Sequence, residues 1–268
     1  MTIEQELGHP HGEGGLLVNL GNAYYFLKNY KQAIQFYQKG LNTLRRLSNH
    51  HEFEANALEG MGRAYEILEQ YSKAIEHHQQ ALEIRQKIGD RRGEANSLGN
   101  LGLTYELLGQ YSKAIEYHHK ALVIEREIGD SIEEGASLIN LGNAFRLSGQ
   151  YMKAIESYEE GLIIVQKVQH REFEANALSG LGKAYHCIKQ YNPALKCYEQ
   201  TLKIRQEISH HGGEAATFKK LAEFYQDLGE RDRALKYCEQ ALAISTKLGI
   251  PLAEECRKLK EELEKGGG

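Results

Sequence analysis

The run Ser97–Leu122, SLGNLGLTYELLGQYSKAIEYHHKAL, decides the fold. It places Gly99, Gly102 and Gly109 in a stretch otherwise made of strong helix formers. Glycine inside a helix costs about 0.5–1 kcal/mol relative to alanine, so each one needs a reason. Leu98, Leu101, Tyr105 and Leu108 follow three-and-four spacing, which predicts one face of a helix. Gly109 falls where a left-handed residue ends such a helix. A second helix then carries Ala114, Ile115, His118, Ala121, Leu122 and Ile128 inward, and Gly129-Asp130 closes it.

The same pattern recurs along the chain. LGNAYYFLKNYKQAIQFYQKGL begins at Leu20, and related stretches begin at Met61, Leu101, Leu141, Leu181 and Leu221, a period of about 40 residues. Gly102 has counterparts in Gly21, Gly62, Gly142 and Gly182, with Ala222 in the last copy; Ala114 has counterparts in Ala33, Ala74, Ala154, Ala194 and Ala234. Small residues at fixed places on both helices let the backbones approach, and large neighbours such as Tyr105 and Leu122 fill the space beside them. Glu13, Glu54, Glu94, Glu134, Glu174 and Glu214 recur at the first-helix starts, where the helix dipole favours negative charge. A longer period overlies this one: EFEANALEGMGRAY at Glu52 returns as EFEANALSGLGKAY at Glu172, which suggests growth by duplication of a three-repeat block.

Leu98-x2-Leu101-Gly102-x2-Tyr105, followed by Ala114 and Ala121, resembles the tetratricopeptide repeat. Leucine stands where tryptophan is usual, the period is about 40 rather than about 34 residues, and a Gly-Asp turn replaces the usual final proline. The extra residues are expected to lengthen the second helix by roughly 9 Å. This long form is similar to arrays in LGN/Pins-type scaffolds and in large cyanobacterial multidomain proteins. The resemblance implies an all-α, right-handed superhelical solenoid of six helix-turn-helix units. The repeats are expected at about 12–51, 52–91, 92–131, 132–171, 172–211 and 212–250. A capping helix is expected at about 252–265, the whole forming one array over 1–265, with a flexible tail at 266–268. Met1–Leu7 matches the tail of a second helix, so the array is expected to continue N-terminally in a parent protein. PLAEECRKLKEELEK has one apolar stripe, Leu252, Cys256, Leu259 and Leu263, as a solvating C-terminal cap needs.

Composition narrows the function. The net charge is −4 with mixed signs, unlike a nucleic-acid binder's basic stripe. No apolar run approaches the roughly 20 residues of a membrane span. The four cysteines form no CxxC pair, and buried, inert thiols in a cytoplasmic protein are expected. His77-His78 and His118-His119 invite a metal reading, but His78 and His118 stand where other copies have Tyr37, Tyr158 and Tyr198, so packed helix residues are expected. His50-His51 and His210-His211 fall in inter-repeat turns and are expected to be exposed. Most glutamates read as solvated helix faces. No recurring carboxylate pair, nucleophile triad or phosphate loop stands out, so no enzyme, metal or cofactor is expected.

The resemblance implies that first helices line a concave groove holding a peptide or disordered partner segment. The flanking positions then supply the candidate contacts: Asn19, Asn22, Asn100, Asn140 and Asn143 to pair a peptide backbone, with Tyr25, Arg63, Arg146, Lys183 and His186 setting specificity. Val18, Glu59, Glu66, Asn56, Ile139, Asn176, Lys219 and Lys220 flank the same pattern, and Gly99 is expected to leave room for a ligand. Arg146, Lys183, Lys219 and Lys220 make the later repeats more basic. The expected function is a monomeric, non-catalytic protein–protein scaffold, such as the sensor part of a larger signalling protein, with no nucleic acid or membrane partner. The alternative is a structural spacer or an array that self-associates end to end.

Overall fold

Alternating helices and tight turns account for the whole of the computed structural model, which describes residues 10–46 and 50–265. The expected Met1–Leu7 half-helix and the 266–268 tail lie outside these residues. The described helices are α1 (Pro10–Phe26), α2 (Tyr30–Arg45), α3 (His51–Ile67), α4 (Tyr71–Ile88), α5 (Arg91–Leu107), α6 (Tyr111–Ile128), α7 (Ser131–Leu147), α8 (Tyr151–Lys167), α9 (Arg171–Cys187), α10 (Tyr191–Glu207), α11 (His211–Asp227), α12 (Arg231–Leu248) and α13 (Leu252–Lys265). First helices have 17 residues and second helices 16 to 18, so the second helix is not selectively lengthened.

Helix contacts divide the chain into two compact units, Met1–Asp130 and Ser131–Gly268. In the first, each odd helix packs on the next even one, α2 on α3, α4 on α5, and first helices α1 and α3 lie side by side. The second repeats the scheme from α7 to α12, with α7 beside α9, and α13 packs on α12. Leu259, Leu263 and Cys256 of α13 join the core of the last repeat, leaving its charged residues outward. Cys197, Cys238 and Cys256 are buried, as expected, whereas Cys187 at the end of α9 is exposed.

The repeat glycine of five first helices is explained by one ring in each case. Tyr37, His78, His118, Tyr158 and Tyr198, all from second helices, are almost fully buried. An added Cβ would stand 2.4 Å from a ring atom at Gly21, 2.4 Å at Gly62, 2.5 Å at Gly102, 2.7 Å at Gly142 and 2.6 Å at Gly182. Tyr37 and Tyr158 are gripped a second time by the following repeat, where Gly60 and Gly180 would each place a Cβ 2.4 Å away. Asn100 stands where Gly60 does, and there the ring is the shorter His78. Gly99 is different: nothing lies within 4 Å of where its Cβ would be.

Turns follow a single rule. Gly109, Gly149 and Gly229 take positive φ at the first-to-second-helix turn, and Gly89, Gly129 and Gly249 take it after second helices. Lys28, Glu69, Lys189, Gln169 and Ser209 adopt the same conformation without being glycine, at φ between 55° and 60°. A left-handed residue lets two backbone N–H groups return to the helix end, as Gly89 and Asp90 do to Gln86 and Arg85.

The recurring glutamates do more than meet the helix dipole. Glu94, Glu174 and Glu214 each accept from a glutamine of the preceding second helix: Gln86 at 3.0 Å, Gln166 at 3.0 Å and Gln206 at 2.9 Å. Arg91 and Arg171 each bridge this carboxylate to Glu127 and Glu207. The recurring carboxylate is a latch between successive repeats. Against the expectation of solvated faces for most glutamates, Glu54, Glu59, Glu94, Glu125 and Glu174 are buried.

His78 is a buried ring held between two carboxylates. Its Nδ1 lies 3.0 Å from Glu59, and its Nε2 lies 3.4 Å from Glu66. Burial opposes the charge, but hydrogen bonds and charge from Glu59 and Glu66 outweigh it and raise the pKa to about 9.

Three outcomes follow from this packing. Gly180→Ala is expected to destabilise by about 1–3 kcal/mol, because the Tyr158 ring cannot retreat, whereas Gly99→Ala gains up to about 1 kcal/mol of helix propensity. Denaturant unfolding of the two variants checks both. Lys189→Gly is expected to raise the unfolding midpoint by about 0.5–1 kcal/mol of stability, as left-handed strain is removed. The His78 contribution is fully present below its unfolded pKa of about 6.5 and is lost as pH rises through about 9. Unfolding at pH 6 and pH 9.5 is therefore expected to lose more stability in the parent than in His78→Asn.

Candidate functional site

First helices bury one side against second helices and present the other, and the residues flanking the Leu-Gly pair divide between the two. Val18 and Ile139 turn inward and are buried, so they leave the set of exposed flanking positions. Asn19 is exposed on α1, and Asn140 is half-buried on α7.

Two of the asparagines are fixed by the buried tyrosines. Tyr37 donates its hydroxyl hydrogen to Asn22 Oδ1 at 2.8 Å, and Tyr158 donates to Asn143 Oδ1 at 2.7 Å. A phenol on the amide oxygen orients the side chain and leaves its NH2 group as the outward function. Asn22 and Asn143 are thus oriented donors. Asn56 and Asn176 are set similarly by arginine: Arg85 donates to Asn56 at 2.8 Å and Arg205 to Asn176 at 3.4 Å. Asn100 is committed differently. Its Nδ2 donates to Glu59 at 2.5 Å, alongside Ser97, so the amide closes the His78 network.

In the first unit, Arg63 lies over the face of Tyr25, 5.6 Å from the ring centroid, and Tyr30 meets the same ring edge-on at 5.4 Å. Glu59 and Glu66, two of the flanking positions, are turned onto His78.

In the second unit, Asn140 and Asn143 of α7, Asn176 and Lys183 of α9, and Arg205 of α10 line one open cleft of about 400 Å³, with Glu133 also on its wall. Arg146 follows one turn beyond Asn143, and its buried Nε has no hydrogen-bond partner among the described residues. His186 Nε2 is 3.1 Å from Asp227, and its ring meets Phe224 edge-on at 5.2 Å, which ties it to α11. Lys219 and Lys220, expected to add to the basic character, both donate to Glu223 at 2.7 Å. Burial chiefly, with the charges of Arg146, Lys220 and Arg205, pushes the Lys183 amine down from 10.5 to about 8; Glu223 opposes the shift.

Arg205, like Glu133, is a charged cleft residue that the repeat pattern did not single out. Its signal is a recurrence 120 residues after Arg85, within the duplicated block. The histidine pairs separate by environment. His78 and His118 are packed as expected, His210 and His211 are exposed, and His50 and His51 are half-buried rather than exposed. Among the described residues, no three His, Cys, Asp or Glu side chains are grouped so as to hold a metal ion, and no helix is long and apolar enough to cross a membrane.

Known proteins place this arrangement in context. The tetratricopeptide repeat family matches residues 13–87, 68–127, 93–167 and 133–207, and a second tetratricopeptide repeat description matches 217–252. No curated protein matches the sequence. Among solved structures, the apo form of RapI superposes with a TM-score of 0.75 at 18% identity, over 94% of this chain and 98% of that one. A Rap protein complexed with competence and sporulation factor gives 0.69 at 17%, over 98% and 77%. A signal-transduction ATPase with a tetratricopeptide repeat sensor, from Pyrococcus horikoshii, gives 0.75 at 20%, over 97% of this chain but 39% of that one. With six copies of the Leu-Gly and Ala pattern, helix pairs throughout and family matches from residue 13 to 252, the chain belongs to the tetratricopeptide repeat family.

Proposed function

We propose that this protein is a non-catalytic interaction scaffold whose first-helix face binds a peptide or disordered segment of a protein partner. One observation carries the reading: Asn143 is held by the buried Tyr158 hydroxyl so that its NH2 group is left to donate, and it shares a cleft with Asn140, Asn176 and Lys183. An extended segment carries unpaired backbone carbonyls, and fixed amide donors satisfy them. Because the donors are oriented before binding, the ordering cost falls on the ligand. Tyr25 with Arg63 on the first unit, and Arg146 with Lys183 on the second, supply side-chain selectivity.

The neighbours support this reading in kind. One is a Rap protein in complex with competence and sporulation factor, and another carries its repeats as a sensor. A sensor or scaffold role within a larger signalling protein, in the cytoplasm, fits that company. The second reading is an array that self-associates. Leu16 and Leu20 on α1 are 51% and 44% exposed and form an apolar patch that a second copy could cover.

Panning a library of disordered peptides against the full chain and an Asn140→Ala, Asn143→Asp variant tests the reading. Aspartate keeps the acceptor for Tyr158 and removes the donor, so the fold is retained. Peptides selected on the parent are expected to bind the variant at least tenfold more weakly. Equal binding to both places the ligand elsewhere. No selected peptide, together with mass rising with concentration in light scattering, favours self-association.

A further inference from the structure

The cations of the second unit are not equivalent. Lys219 and Lys220 share the Glu223 carboxylate, and Lys219 also reaches Glu255 at 3.0 Å. Arg205 is spent on Gly213 O at 2.6 Å, Thr217 at 2.8 Å and Asn176. Arg146 and Lys183 make no ion pair among the described residues, although both are half-buried. A half-buried cation with no counter-charge is costly, and proteins ordinarily supply a partner for it. Around Lys183 the cleft presents chiefly donors: Asn143 and Asn176 have their oxygens occupied, and Arg205 is a cation. Glu133 on its wall and Glu223 on α11 are the carboxylates in this neighbourhood.

We propose that Lys183, with Arg146 beside it, is the receptor for an anionic side chain of the bound segment, a carboxylate or a phosphorylated hydroxyl. This rests on the reading that a peptide occupies this face, and it specifies that peptide's chemistry. Charge complementarity argues for the occupant: among the polar groups of the wall, Asn143, Asn176, Lys183 and Arg205 present donors or positive charge against the single carboxylate of Glu133, and an anion satisfies both donors and cations together. The groups bearing on Lys183 are Arg146 from α7, Arg205 from α10, and Lys220 and Glu223 from α11. Three of these four disfavour its proton, so an arriving anion raises the amine pKa and binding takes up a proton. Affinity is then greatest below pH 8 and falls by up to about tenfold per pH unit above it.

Two measurements test this on the full chain. The first follows the lysine side-chain carbons by NMR from pH 6 to 10, alone, with inorganic phosphate and with glutarate, using Lys183→Met to assign the signal. The Lys183 midpoint is expected to rise by about one unit with at least one of the ions, and the ion with the larger effect identifies the source. A midpoint unmoved by both overturns the anion site. The second pans the peptide library against the parent, Lys183→Met and Lys183→Arg. Peptides rich in Asp or Glu on the parent, lost on Met and recovered on Arg, support the proposal. Neutral peptides selected equally by all three overturn it while leaving the peptide-binding face intact. A phosphate shift with no selected peptide overturns the assignment to a peptide side chain and the peptide-binding reading with it.

Discussion

A buried ring seated on a glycine is the contact from which the other features of each unit follow. Tyr158 cannot be accommodated unless Gly142 and Gly180 both lack a side chain, since a Cβ at either would stand within 2.7 Å of the ring. That requirement brings the first helix of one repeat, its second helix and the first helix of the next to a common point. It explains why a helical protein keeps glycine in the middle of its helices. The propensity lost is about 1 kcal/mol per position, and a large, fully buried aromatic more than offsets it.

The same ring reaches toward function. The tyrosine hydroxyl emerges beside Asn22 in one unit and Asn143 in the other, and the bond it makes there orients the amide. Core and candidate site are therefore joined by one side chain: the hydrocarbon part packs and the oxygen aims the donor. Where the ring is histidine the outcome changes. His78 carries charge, draws Glu59 and Glu66 onto itself, and Glu59 in turn engages Asn100. Tyr37 and Tyr158 leave Asn22 and Asn143 oriented as donors, whereas His78, through Glu59, draws Asn100 of the next repeat into a buried network. Asn143 and Asn100 flank the Leu-Gly pair on opposite sides, and the ring each one meets, directly or through Glu59, decides whether its amide faces outward or inward.

Charge is sorted by the same logic. Lys219 and Lys220 find Glu223 within one helical turn on α11, so they are neutralised locally. Lys183 has no acidic residue one turn away on α9, and its neighbours across the cleft include two arginines. Counting basic residues along the first helices does not distinguish these cases; the identity of the residue three or four positions away does. The latch glutamates make a similar point, since Glu94 and Glu174 sit where a helix dipole favours them but are held by glutamines from another helix.

By itself the sequence determined the elements and their repetition. Three-and-four spacing, the recurring Leu-Gly pair and the glycine at six of the breaks specify helices and turns because those signals are local. They act within a few residues of one another, and the positive φ at Gly109 and Gly129 lies where they place it. The flanking positions of the first helices were legible as candidates for the same reason, and so was the burial of His78 and His118. What only tertiary structure decided is which polar side chains are free. Asn100 and Glu59 are 41 residues apart, Asn143 and Tyr158 are 15 apart, and Arg205 and Asn176 are 29 apart. Whether an amide faces solvent or a buried carboxylate depends on these partners from other helices. No local pattern encodes that choice, because the energy that sets it belongs to the packed pair and not to either residue alone.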